Sequence, residues 1–183
     1  MPGSIVDEFI PLIERETGFS YPEDFGICYV PDFVALGSVL RDFQNPDFLL
    51  VGSNDKRSYE VARTLYSHVV SAQVPVRNLS IEEAEIAKVS LNAYICTKIS
   101  FANFLGQVAE HFTNVDVDNI TSTLGLDRRI GSRYFKAGAP FGGTCFPRDT
   151  WAFKRMANSV GLVAGQIESS NEINQSLFHH LLL

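Results

Sequence analysis

The stretch Ser80 to Phe112, SIEEAEIAKVSLNAYICTKISFANFLGQVAEHF, decides how the rest of the chain is read. It opens on Ser80-Ile81-Glu82-Glu83, a capping-box pattern in which the serine hydroxyl and the Glu83 carboxylate each satisfy a backbone N–H left orphaned at a helix start. No proline follows before Pro140, and a helix running to Phe112 spans roughly 33 residues and about 50 Å. Between Val89 and Ala109 the one charged side chain is Lys98, while Val89, Leu91, Tyr94, Ile95, Cys96, Ile99, Phe101, Phe104 and Leu105 occupy every side. A helix apolar all round has to be covered all round. The remaining chain is short for that task, which predicts a second copy of the helix packed against it in a two-fold dimer rather than the long core helix of a monomer. Asn92, Ser100 and Asn103 break the apolar surface. Glu85, Lys88 and Asn92, at i, i+3 and i+7, share one face that could point into a site.

A chain of 183 residues fits one domain of good size or two small ones, and 45% apolar with 20% charged residues describes an ordered globular protein. The net charge of −6 argues against nucleic acid as a partner, since a phosphate-backbone binder needs a basic face. The total conceals an asymmetry: from Asp127 to Arg155 there are seven basic residues against two acidic ones. Such a cluster is a solvated surface or a place to hold a small anion such as a diphosphate. Three cysteines, at 28, 96 and 145, fit no metal-ligand spacing and leave one unpaired under any disulfide scheme, which points to a reducing compartment. The start lacks the regions of a signal peptide and no apolar run reaches membrane-spanning length, so a cytoplasmic protein without a membrane partner is expected.

Upstream of the long helix, residues 5–17 read as a helix with Ile5, Phe9, Leu12 and Ile13 on its inner side and Gly18 as its stop. Gly26 to Val30 and Phe48 to Gly52 look like buried strands suited to a parallel sheet, with Val74 to Arg77 as a third. Between them Lys56 to Ser67 forms a helix that turns Val61 and Leu65 inward. No Gly-x-Gly-x-x-Gly occurs anywhere, so the turn that would hold a dinucleotide pyrophosphate is missing and the cofactor-binding residues stay unknown. Downstream, Asp118 to Leu124 is a short helix, Lys136 to Thr144 a glycine-containing loop, and Thr150 to Ser159 and Gln166 onward are helices.

The sharpest chemical signal is Phe141-Gly142-Gly143-Thr144-Cys145-Phe146-Pro147-Arg148-Asp149. Glycines let backbone approach a ligand and expose amides that can stabilise an oxyanion beside a nucleophile. Arg148 and a helix start at Asp149 would both favour a thiolate at Cys145. Cys28, in a strand, and Cys96, inside the long helix, read as bland buried residues.

Taken together, these motifs resemble the UDP-glucose/GDP-mannose dehydrogenase family of nucleotide-sugar 6-dehydrogenases. Gly142 to Asp149 resembles its cysteine motif. Glu85-Ile86-Ala87-Lys88, Asn92-Ala93-Tyr94 and Lys98 to Asn103 resemble its central dimerisation helix, and Gly125 to Gly131 its sugar-nucleotide loop. Pro31-Asp32-Phe33 with Gly37, and Asp42-Phe43 through Gly52, resemble the last part of its cofactor domain. The resemblance implies an α+β fold leaning to mainly α: a partial Rossmann-like remnant over 1–78, then a helical dimerisation domain over 79–183. It implies oxidation of a sugar C6 alcohol to a carboxylate with NAD, in polysaccharide biosynthesis. A cysteine there traps the intermediate aldehyde as a thiohemiacetal, which passes through a thioester to the acid. By the same resemblance Cys145 is the nucleophile, Lys88 and Asn92 steady the oxygen that gains charge, and Asp149 orients water or the lysine. Arg129, Tyr134, Gly142 and Asp32 would contact the sugar nucleotide, Arg129 across the dimer. No metal is implied.

Two departures from the family pattern matter. Asp32 stands one methylene short of the family's first Glu, and Leu36 replaces its second, which puts thioester hydrolysis in question. The resemblance also begins late in the cofactor domain and ends before a second Rossmann-like domain. The chain therefore reads as a truncated or split dehydrogenase, inactive by itself and completed by a separate NAD-binding subunit. The alternative is a non-catalytic dimerisation or regulatory module derived from the family.

Overall fold

The computed structural model describes residues 2–34 and 37–181, and the fold is α+β, mostly helical. Leu36 lies outside the described residues. Two compact units, Met1–Lys88 and Val89–Leu183, divide the chain, and no helix among the described residues is long and apolar enough to cross a membrane.

In the first unit a π-helical turn, Ile5–Phe9, leads into α1, Ile10–Thr17, which stops at Gly18 in the left-handed conformation. The wide turn shifts the inner face from the expected Phe9 and Leu12, both exposed, to Ile10. Glu85, on the helical face first read as a possible site, is instead buried and closes this helix start. Its carboxylate accepts from the N–H of Gly3 at 2.6 Å and of Ile5 at 3.3 Å.

After α2, Val39–Gln44, come β1, Leu49–Gly52, α3, Lys56–Ser67, and β2, Val76–Leu79. The strands pair in parallel with Leu49 opposite Val76 and Gly52 opposite Leu79. The expected strand at Gly26 to Val30 is not formed. That segment runs the other way and meets the sheet only where Tyr29 and Gly52 exchange both backbone bonds, because Pro31 next door has no N–H to extend the ladder. Val61 and Leu65 were expected inward, yet both are about two-thirds exposed. Ala62, with Tyr59 and Tyr66, packs on Leu49 and Val51 in their place. These residues recur at i, i+3 and i+7, so the true inner stripe of α3 carries small and aromatic residues while its outer face carries aliphatic ones. At the end of β1 a Cβ on Gly52 would stand 2.6 Å from that of Ala84, so only glycine lets the first turn of the next helix close on the strand.

Asp55 caps α3, accepting from the Ser58 N–H at 2.7 Å. Partial burial works to raise its pKa, but the donors of Ser58 and the Tyr21 hydroxyl hold it below the ordinary carboxylate value. Asp55→Ala should therefore cost about 1 kcal/mol in denaturant melts at pH 7. A carboxyl depressed on folding stabilises above its unfolded value, about 3.9, and loses that contribution as pH falls through its folded value. Variant and parent should accordingly converge in strongly acid buffer, and a pH-independent gap would contradict the cap.

The long helix, α4, runs Ile81–Ala109. The capping box is formed: Glu83 Oε2 accepts from the Ser80 N–H at 2.8 Å, and Ser80 Oγ from the Glu83 N–H at 3.1 Å. The helix ends short of Phe112 because the bonds of His111 and Phe112 tighten to i→i−3 and Asn114 turns left-handed.

Within the second unit, Ala93, Cys96, Ser100 and Asn103 of α4 form a buried stripe of small and polar side chains. Ala93 packs with Ala164 and Ile167 of α7, Gly165–Leu181 and the turn before it, and with Phe153 and Ala157 of α6, Cys145–Ser159. Ser100 Oγ donates to Ser170 O at 2.7 Å and Ser170 Oγ to Thr97 Oγ1 at 3.2 Å, so α4 and α7 meet through hydroxyls. Tyr94, Phe101, Phe104 and Val108, spaced 7, 3 and 4 along α4, remain exposed. Between α4 and α6 lie α5, Val117–Gly125, and a long loop. The next helix, α6, spans Cys145–Ser159 rather than starting at Thr150. Pro147 does not prevent this, because a first-turn residue has no intrahelical use for the N–H that proline lacks.

Candidate functional site

The early start of α6 changes the chemistry of its first two turns. Cys145 becomes the first helical residue, exposed, following Gly143 in the left-handed conformation. Asp149, expected near a helix start, sits one turn further on the same face and is 3% exposed. Asn92 Nδ2 donates to Asp149 Oδ2 at 2.6 Å, and Arg148 Nε donates to Oδ1 at 2.8 Å. A buried carboxylate with a strong donor on each oxygen is held rigidly. Cys96 is fully buried in the same unit. Burial, and after it the charge of Asp149, pushes its thiol up to about 12, which leaves Cys145 as the accessible sulfur here.

Aromatic rings meet at the residue after Cys145. Phe146 meets Tyr134 edge-on at 6.4 Å and Phe141 edge-on at 6.2 Å, and Tyr134 is held at φ 59°, a backbone state costly for a bulky residue. Tyr134 is thereby brought to the cysteine loop, as is exposed Gly142. Arg129 is engaged in its own loop by Asp127, with contacts of 2.6 to 3.2 Å. That hydrogen bonding lowers the Asp127 carboxyl and raises the guanidinium. Lys98 donates to the carbonyls of Ile130 and Gly131 at 3.0 and 3.3 Å and so ties the same loop to α4.

The remaining expected residues belong to the first unit. Lys88 Nζ donates to the Asp32 carbonyl at 2.6 Å and lies 4.8 Å over the Phe33 ring. Asp32 thus meets the lysine through its backbone, a role its side-chain chemistry could not announce. At the carboxyl end of β1 the N-terminus of α3 is already filled by the Asp55 carboxylate, and Glu82 and Glu83 line the neighbouring surface. These residues do not fit a dinucleotide diphosphate, which needs free N–H groups and no competing anion.

Two residues escaped the sequence reading, Asn103 and Asn174. Asn103 was visible only as a polar break in an apolar helix and Asn174 only as polar spacing on the last one. Both carboxamides are buried against backbone of the loop before Cys145. A buried Asn at helical spacing signals that some partner exists without saying which.

A long helix whose Asn92 carboxamide binds the Asp149 carboxylate of α6, beside a glycine loop with an exposed cysteine, is a combination with known counterparts. Residues 82–176 match the central domain of the UDP-glucose/GDP-mannose dehydrogenase family, and residues 1–70 match its NAD binding domain. The chain belongs to this family. Among similar proteins, the UDP-glucose 6-dehydrogenase of Haloferax volcanii is 33% identical over 95% of this chain and 41% of its own length. That of Bacillus subtilis, TuaD, is 34% identical over 86% of the chain and 33% of its own length. The solved UDP-glucose dehydrogenase of Pyrobaculum islandicum superposes with a TM-score of 0.88 at 34% identity, covering 96% of this chain and 39% of the other. The chain therefore spans about two fifths or less of the relatives it matches.

Proposed function

We propose that this chain carries the cysteine half of a nucleotide-sugar 6-dehydrogenase site, on a dimerising helical scaffold. The observation supporting this most directly is the exposed Cys145 one turn from Asp149, whose carboxylate is bonded to Asn92. In the reaction the Cys145 sulfur adds to the C6 carbonyl carbon of a sugar aldehyde. A C–S bond forms, the carbonyl π pair moves to oxygen, and a proton reaches that oxygen to give the thiohemiacetal. Asn92 has a second N–H to offer the developing oxyanion. Asp149 orients water, while Arg129, Tyr134 and Gly142 contact the sugar nucleotide. NAD supplies hydride acceptance in the family. The residues at the carboxyl end of β1 do not fit its diphosphate, because the Asp55 carboxylate already occupies the start of α3. The exposed Tyr94, Phe101, Phe104 and Val108 stripe of α4 pairs with its copy in a homodimer.

NADH formation with UDP-glucose, UDP-N-acetylmannosamine or GDP-mannose, with and without a protein carrying a Gly-x-Gly-x-x-Gly fold, tests this. Turnover is expected only on mixing, and Cys145→Ala should lower it by about a thousandfold or more, as loss of a covalent nucleophile does. Silence in every mixture would favour a non-catalytic dimerisation module.

A further inference from the structure

Asn174 spends both ends of its carboxamide on one loop residue. Its Oδ1 accepts from the Phe141 N–H at 2.7 Å and its Nδ2 donates to the Phe141 carbonyl at 2.9 Å, with the side chain 8% exposed. A single side chain thus pairs with the loop as a neighbouring strand would. Asn103, from α4, makes a related bond just upstream, accepting from the Gly138 N–H at 2.8 Å. The Phe141 ring, buried and edge-on to Phe146, carries this placement to the residue that follows Cys145. Between Phe141 and Cys145 lie Gly142, Gly143 and Thr144, with Gly143 left-handed. Two glycines have no stiffness of their own, so an ordered cysteine needs an anchor immediately before them.

From this geometry we infer that Asn174 is a positioning residue for the cysteine site, acting through Phe141 to set the Gly142 to Cys145 segment where a nucleotide sugar binds. The inference rests on the reading of Cys145 given above. Leucine at 174 would keep the volume and lose both bonds. Aspartate would keep the acceptor for the Phe141 N–H and lose the donor to its carbonyl.

The test compares the whole chain with Asn174→Leu and Asn174→Asp by hydrogen exchange over 138–143 and by iodoacetamide modification of Cys145 with and without UDP-glucose. Asn174→Leu should speed exchange in that segment about 30-fold, the factor expected for two lost hydrogen bonds, with α4 amides unchanged. It should weaken UDP-glucose protection of Cys145 by a similar factor, and Asn174→Asp should recover part of both. A residue that merely packs would be rescued by leucine, and that outcome overturns the inference. Unchanged exchange over 138–143, or faster exchange with protection intact, overturns it too. If UDP-glucose fails to protect Cys145 in the parent chain, the site reading falls, and the exchange comparison alone then decides whether Asn174 sets the loop. Should the leucine variant not fold, the aspartate variant is read instead, with roughly fivefold faster exchange expected from one lost bond.

Discussion

Asn92→Leu is expected to destabilise the chain by about 3 kcal/mol, because it strips a 2.6 Å donor from a carboxylate that is 3% exposed. Arg148 remains on the other oxygen, but its own side chain is largely solvent-exposed and cannot replace a buried donor. For a chain of this size the thermal midpoint should fall by roughly 10 °C. The decisive comparison is with the double variant Asn92→Leu, Asp149→Leu. Removing both partners leaves no orphaned charge, so most of the lost stability should return. A single variant that melts within about a degree of the parent, a shift worth only a few tenths of a kcal/mol, would mean that the carboxylate gains nothing from the carboxamide.

The second large effect concerns association. Tyr94 is 60% and Phe104 47% exposed in the isolated chain, so aspartate at either position should leave the protomer folded by circular dichroism. In a dimer built on that stripe the same change buries an unpaired carboxylate, expected to weaken pairing about a thousandfold or more. Light scattering should find the parent dimeric at micromolar concentration and the variants monomeric. A monomeric parent would remove the basis for the dimer. Ile95 and Ile99 are half-buried within the protomer, where a charge would disturb folding and pairing together.

What the residues announce by themselves is local in physical origin. The Ser80 to Glu83 box, the Gly18 stop and the span of α3 follow from backbone donors and conformational limits within a few residues. The cysteine motif was likewise legible, since its glycines and cysteine are chemically unusual wherever they fold. Inner faces were less so. On α1 a single wide turn rotated the stripe, and on α3 the aliphatic residues face out while alanine and tyrosines face in. Periodicity fixes which residues share a face but not which face finds a partner.

From its sequence alone this chain determined a capped, uninterrupted helix, a glycine-flanked thiol and membership of a dehydrogenase family, because each depends on short-range geometry or on residue types at set spacings. The tertiary structure alone decided that Asp149 is a buried carboxylate bound to Asn92, that Glu85 closes the first helix, and that Asn174 grips the loop before Cys145. Those are pairings across 33 to 82 residues of chain, and hydrogen-bond partners at such separations are selected by packing, which no local pattern records.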